Sequence, residues 1–359
     1  MRILSATEAV SPAIARTKLV LFKPFRFGRT WKLSATSEIA MQGTNFFPLL
    51  LFVLFFLPSI HRAAPAAWIT WGAAFGSLLL TVLGAVLFIL LSHLQFAFFD
   101  IVANRGEFVA PAWRKYSLLH RRWTNFKMIA GTCLTAVIGI PLVIVIHRAF
   151  VVSTTGTKYQ PGPAAPFAFF LFFIAIYGGI ILVFLSFSLL NDFMMPPIAL
   201  EDASIAQAWQ WVWRQICVEP GQFALYALLK IVLGFVALMA VGIIFEIVYL
   251  LLGLLFLAVG AAAAAFLQHV NAPQILITGL VIAFVCCLFV PFLIYVRFGL
   301  GGIAITFLEA YKLYFLGGRY PPLGDLLDRS TPAPEPYTPP PGYLAYASDT
   351  LPPPTNPLL

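Results

Sequence analysis

Between Phe223 and Leu267 the chain passes 45 residues with only Lys230 and Glu246 charged. Drawn as one helix at 1.5 Å per residue, this run would be roughly 68 Å long, about twice the hydrocarbon thickness of a bilayer. It is apolar on every face, so a water-soluble fold has no place for it. A polar break, Gln268–Gln274, follows. A second apolar run then reaches about Leu316, interrupted by Pro291, Arg297 and Gly299-Leu300-Gly301-Gly302. Each run is expected to be one span plus a re-entrant or interfacial piece, or else two spans. Both solutions return the chain to the side it left. Composition agrees: 61% of residues are hydrophobic and 10% charged, where a soluble domain has about half and a quarter.

The fold class that follows is all-α: a polytopic transmembrane helical bundle of six spans, with eight as the alternative. Four further spans are read at 33–60, 68–102, 128–147 and 167–190. Pro48 and Pro58 imply a kink and a stop in the first, and His61 and Arg62 begin the turn after it. Residues 148–166, rich in Ser, Thr, Gly and Pro, read as an exposed loop on the far side. The transmembrane domain occupies 33–318.

Three segments flank or interrupt the spans. Residues 1–32 form a basic arm without the long apolar core of a signal peptide. In it Ser11-Pro12 starts a helix that Lys23-Pro24 ends, and Arg26, Arg29 and Lys32 then mix with Phe25, Phe27 and Trp31, a pattern suited to the headgroup layer. Leu200–Gln222 is expected to hold a tryptophan-rich amphipathic helix in the membrane interface, capped at Asp202 or Ser204 and ended by Pro220-Gly221. Residues 319–359 carry twelve prolines and read as an extended, disordered Pro-rich tail, with polyproline II at Pro339–Pro341 and Pro352–Pro354. Such a tail serves as a docking peptide for a protein partner or stays solvated.

The formal charge of +8 is concentrated beside the spans. The arm has seven basic residues against Glu8. The segment Asn104–Lys127 has Arg105, Arg114, Lys115, Arg121, Arg122 and Lys127 against Glu107. Basic residues gather on the cytoplasmic side, so both segments are placed there, in a bacterial cytoplasmic (inner) membrane, with N- and C-termini cytoplasmic. Arg114, Lys115, Arg121 and Arg122, with Trp209 and Trp213, are expected to touch anionic lipid headgroups. Clustering so close to spans argues against nucleic acid as a partner.

Ionisable residues at membrane depth are the functional candidates, because each costs about 2.5–3.5 kcal/mol in hydrocarbon. They are Lys230, Glu246, Arg297 and Glu309, with His93, Asp100 and Asp192 near span ends. Glu246 and Arg297 are expected to meet across the bundle, Glu309 and Lys312 to pair on one helix face, and Lys230 to snorkel to the cytoplasmic interface. No Walker loop, G-x-S-x-G, H-E-x-x-H or dinucleotide glycine pattern occurs. Cys133, Cys217, Cys286 and Cys287 lack a zinc-ligand spacing. No catalytic, cofactor or metal residue is therefore assigned, no cofactor is implied, and the sequence leans away from an enzyme. Oligomeric state is not legible.

AIARTKLVLFKPFRFGRTWKL from Ala13, PIALEDASIAQAWQWVWR from Pro197 and ITFLEAYKLYFLGGRY from Ile305 resemble a group of uncharacterised bacterial membrane proteins. That group is similar to the membrane domain attached to some glycerophosphodiester phosphodiesterases. The resemblance implies a helical membrane bundle without hydrolase activity of its own, since the family's chemistry belongs to a separate soluble domain. The function expected is a scaffold or accessory subunit of a membrane complex. A transporter or lipid-handling permease, working through the intramembrane ionisable residues, is the alternative. With an even span count, a tag at Leu359 is expected to resist external protease in intact cells; cleavage there would rule out six spans and eight alike.

Overall fold

The computed structural model of the chain describes residues 2–43, 67–117, 119–133, 165–269 and 273–331. The apolar heart of the first expected span (with Pro48, Pro58, His61 and Arg62), most of the third span, the loop after it and the tail from 332 lie outside these residues. The described residues form helices and turns without a strand. In order they are α1 Val10–Phe22, α2 residues 27–43, α3 Ala67–Asn104, α4 Val109–Lys115, α5 residues 119–133, α6 Ala165–Glu201, α7 Ile205–Val218, α8 Pro220–His269, α9 Gln274–Phe284, a π-helical turn Val285–Phe289, α10 Val290–Gly317 and α11 Pro321–Ser330. Three stretches among them are long and apolar enough to cross a membrane: Leu78–Asn104, Pro220–His269 and Cys287–Gly317.

The long apolar run neither folds back nor divides. Pro220 takes the first helical position, where its missing N–H has no partner to lose, so Pro220-Gly221 opens α8 instead of closing α7. From there 50 residues continue as one helix, about 75 Å end to end. No proline interrupts it, and isolated glycines at about 1 kcal/mol each do not break it. The second run is one rod with a flaw. Pro291 has no N–H for the Cys287 carbonyl and its ring crowds that oxygen, and the helix widens just there into the π turn. α8 lies antiparallel to this rod. Phe256 meets Phe289 with ring centroids 4.8 Å apart, and Gly234 faces Leu308.

The glycines after Arg297 do not break α10; they are where α2 crosses it. A Cβ on Gly302 would fall on the Ser34 carbonyl, one on Gly301 would stand 2.6 Å from Glu38 Oε2, and one on Gly299 2.6 Å from the Trp31 indole. The close approach lets side chains reach backbone. Ser37 Oγ donates to Gly302 O at 2.8 Å, and Trp31 Nε1 donates to Tyr295 O at 2.9 Å. Small residues permit this between apolar helices.

Packing is concentrated at one end. Phe96, Phe99 and Val102 of α3, Phe193 and Ile198 of α6, Tyr226 of α8 and Tyr311 and Phe315 of α10 form one core. Ala9 and Ala13 join it from the arm, Tyr116 and Trp123 from the basic segment, Val212 from α7, and Leu323 and Leu327 from α11. This burial also carries α6 beyond its expected stop at Asn191-Asp192. The helix runs through Pro196 and Pro197 to Glu201, losing two backbone bonds while burying Phe193, Met194, Met195 and Ile198.

Two segments are thereby corrected. The arm is not separate from the bundle: one face of α1, with Ala13, Arg16, Thr17, Val20 and Leu21, is buried in it, while the other face and the stretch from Phe22 to Phe27 stay exposed. The tail does not begin at Arg319, because Pro321–Ser330 is a packed helix. Two arginines hold these pieces. Arg16, fully buried, donates from Nε to Val102 O at 2.9 Å and from Nη2 to Ala103 O, both at the end of α3. It also donates to Ser330 O and Oγ at the end of α11. Arg319 donates to Leu4 O, to Phe315 O and to the Glu219 carboxylate at the α7–α8 junction.

Beyond the packed end α8 and its partner rod leave Leu250, Leu251, Leu254, Leu257 and Phe266 exposed, a more continuous apolar surface than a water-facing monomer carries. Gly302→Ala is expected to lower the thermal midpoint of the detergent-solubilised protein, at a cost of about 2 kcal/mol, since backbone must move. Gly279→Ala, with open space around it, should leave the midpoint unchanged, and equal midpoints would show that α2 does not press on α10.

Candidate functional site

The charged groups inside the bundle gather where α6, α8 and α10 meet. Lys230, eleven positions into α8, pairs with Asp192 Oδ2 of α6 and donates to Ser188 Oγ at 2.8 Å. Tyr226, one turn earlier on the same face, donates to the same Asp192 oxygen at 3.0 Å. Its ring stacks on Tyr311 of α10 at 5.1 Å. Lys230 therefore does not snorkel: it is a buried strut between two helices, because Asp192 stands within its reach. On α10, Lys312 Nζ and Glu309 Oε1 lie 2.5 Å apart, the expected spacing of three. Neither atom finds a well-directed hydrogen bond, so this contact is a close meeting of charges. Lys312 also lies over the Phe99 ring of α3 at 5.8 Å.

The expected Glu246–Arg297 pair does not form. Arg297 Nη2 meets Glu38 Oε1 of α2 at 3.2 Å, and its guanidinium lies over the Phe245 ring at 5.4 Å. One residue along a helix is about 100° of rotation, so Phe245 faces α10 and Glu246 is turned outward, exposed and unpaired. Glu38 is the member that hydropathy did not reveal. Its signal was the polar, small face of Ser34, Ser37 and Glu38 set against the glycine run of α10.

The surface candidates separate into two groups. Arg114, Lys115, Arg121 and Arg122 are exposed, as are Trp209 and Trp213, whose rings stack at 6.0 Å. Lys115 and Arg122 are also tied down, to Asp100 at 2.7 Å and Asp202 at 2.9 Å. Tyr116 donates to the same Asp100 oxygen, and its burial beside that carboxylate pushes the phenol well above its ordinary range. Trp211, off the Trp209–Trp213 stripe, packs edge-on against Tyr320. Ser204 caps α7 in a reciprocal box with Gln207. His93 stacks on His120 at 4.0 Å between centroids. Among the described residues no three His, Cys, Asp or Glu side chains converge as metal ligands.

What this arrangement does chemically is join helices. The carboxylates of Asp192, Glu38 and Glu309 each face a cation, and none of the three is presented bare to a reactant. The class so defined is an all-α bundle with candidate membrane spans and internal ionic struts. Within it, the sequence matches the Family of unknown function (DUF7544) over residues 4–326, and the chain belongs to that family. The match takes in the arm and most of α11, the segments that the packing also makes part of the bundle. It provides no link to the glycerophosphodiester phosphodiesterases. None of the curated proteins and none of the solved structures matches the chain.

Breaking one strut leaves a buried charge alone. Lys230→Met is expected to cost about 3 kcal/mol in reversible unfolding from detergent, and Asp192→Asn a comparable amount. The double variant should lose clearly less than the sum, and additive losses would show that the two do not act as a pair.

Proposed function

We propose that the protein is an integral membrane scaffold or accessory subunit of a membrane complex. It spans the cytoplasmic membrane six times, with its packed end and both termini on the cytoplasmic face. The observation that carries this reading is that the charges at membrane depth are consumed by one another. Asp192–Lys230 and Glu38–Arg297 tie one helix to another, Glu309–Lys312 pairs within α10, and of the four candidate residues only Glu246 is unpaired. A permease needs ionisable groups that exchange partners with a solute; Asp192, Glu38 and Glu309 each already face a cation of the chain. The single-rod form of each long run favours six spans over eight. The exposed Trp209–Trp213 pair and the exposed Arg114, Lys115, Arg121 and Arg122 suit an anionic headgroup layer, and the Pro-rich tail offers a peptide to a partner.

Purified in mild detergent from its native membranes, the full chain is expected to run in an assembly with other subunits. Removing residues 332–359 while keeping α11 should release them. Recovery of the full chain without companions overturns the reading. Saturable solute uptake into proteoliposomes that Glu309→Gln abolishes would establish the transport alternative.

A further inference from the structure

One cluster of buried polar groups takes no part in the struts. It lies between α3 and α5. On α3, Phe88, Ser92 and Gln95 recur at helical spacing and share a face; on α5, Trp123, Thr124 and Lys127 do the same. The two faces meet. Lys127 Nζ donates to Gln95 Oε1 at 2.6 Å, and lies 5.4 Å from the centroid of Phe88 and 5.6 Å from that of Trp123. Ser92, Trp123, Thr124 and Lys127 are 0%, 1%, 2% and 5% exposed. Ser92 Oγ, Trp123 Nε1 and Thr124 Oγ1 are buried without a hydrogen-bond partner.

Buried polar atoms are nearly always paired, and three orphans on two facing helix surfaces call for a cause. All three can donate. An indole N–H and an ammonium only donate, and the two hydroxyls are free to donate as well. The ammonium has a neutral amide oxygen as its bonded partner and no carboxylate. Asp100, farther along α3, is engaged by Lys115 and Tyr116, and Glu38 of α2 by Arg297. Burial without a counter-charge draws Lys127, at the close of the basic segment, down to about 7. Gln95 is fixed by donating to Ala40 O of α2 at 3.1 Å, which turns its oxygen to the lysine. The site combines one ammonium, lying between the Phe88 and Trp123 rings, with three further groups that can donate and no negative charge.

We propose that α3 and α5 bind a small monovalent anion here, a halide or a carboxylate, held by the Lys127 ammonium, the Trp123 N–H and the hydroxyls of Ser92 and Thr124. One negative charge matches the one uncompensated cation, and charge-assisted bonds from the neutral donors complete the shell. The bound anion raises the affinity of Lys127 for its proton and ties α5 to the face of α3 just before the packed end. This site is independent of the scaffold reading and stands whether or not partners are found.

The test uses the full chain in non-ionic detergent at pH 7 and constant ionic strength, with bulky gluconate as the reference anion. Titration with sodium chloride, and separately with sodium acetate, is expected to raise the thermal midpoint saturably in at least one series. A response to chloride alone assigns a halide, and one to acetate alone a carboxylate. Thr124→Val keeps the shape and removes one donor, and should weaken the apparent affinity about tenfold. Lys127→Met should abolish the response. If that variant does not fold, Thr124→Val combined with Ser92→Ala decides. No saturable response to either anion, or a response that the variants leave unchanged, overturns the proposal.

Discussion

The carboxyl ends of α3 and α11 meet at one buried arginine, and a second arginine closes the carboxyl end of α10. A helix leaves its last carbonyls without internal partners and carries partial negative charge at that end. Such an end cannot be buried unless donors and positive charge are supplied. Arg16 serves α3 and α11, and Arg319 serves α10 while reaching Leu4 and Glu219. Guanidinium suits the task, with five donors in a rigid plane and a charge it does not surrender. Remove either and the chain termini lose their hold on the bundle. The core around Tyr226, Tyr311 and Phe315 then loses its cover.

This constraint explains why basic residues crowd one end. Topology alone asks only for positive charge near the spans, and any exposed lysine would serve. Here several cations do a second task that depends on position. Lys115 and Arg122 fasten the basic segment to Asp100 and to Asp202 after α6. Arg16 and Arg319 are withdrawn from the surface altogether. Arg114 and Arg121 stay exposed. Away from this end the architecture needs little more than apolar rods, because α8 and α9–α10 need only bury a strip of each other.

The helical class and the stretches around α3, α6 and α8 were legible in the sequence because hydropathy averages over a window, and these windows are unambiguous. Local pairs were legible too: Glu309 with Lys312, and the Ser204 cap, follow from spacing within one helix. What escaped were contacts between distant elements. Glu38 and Arg297 stand on helices far apart in the chain, and nothing in either neighbourhood names the other. Residue-level phase escaped as well, since Glu246 and Phe245 differ by one step and face opposite environments. α11 hid behind proline content, although Pro321-Pro322 at a helix start followed by Leu323 and Leu327 four apart is a helical signal. The helix-end partners of Arg16 escaped too, because a basic arm pattern does not say whether a cation meets a headgroup or a helix end.

The charges of the bundle can be ordered by what neutralises them. Lys230, Lys312 and Arg297 have carboxylates, and Arg16 has helix-end carbonyls with their aligned dipoles. Lys127 has one neutral amide oxygen and the Phe88 and Trp123 rings, and beside it are groups that can donate but no carboxylate. In a medium where each buried charge must be matched, a cation with so little opposite charge marks a place where the protein alone is electrostatically incomplete. The pairs elsewhere show that this chain can set an acid opposite a lysine when rigidity is all that is required. At Lys127 it sets Ser92, Trp123 and Thr124 there instead, which leaves the counter-charge to come from outside the chain.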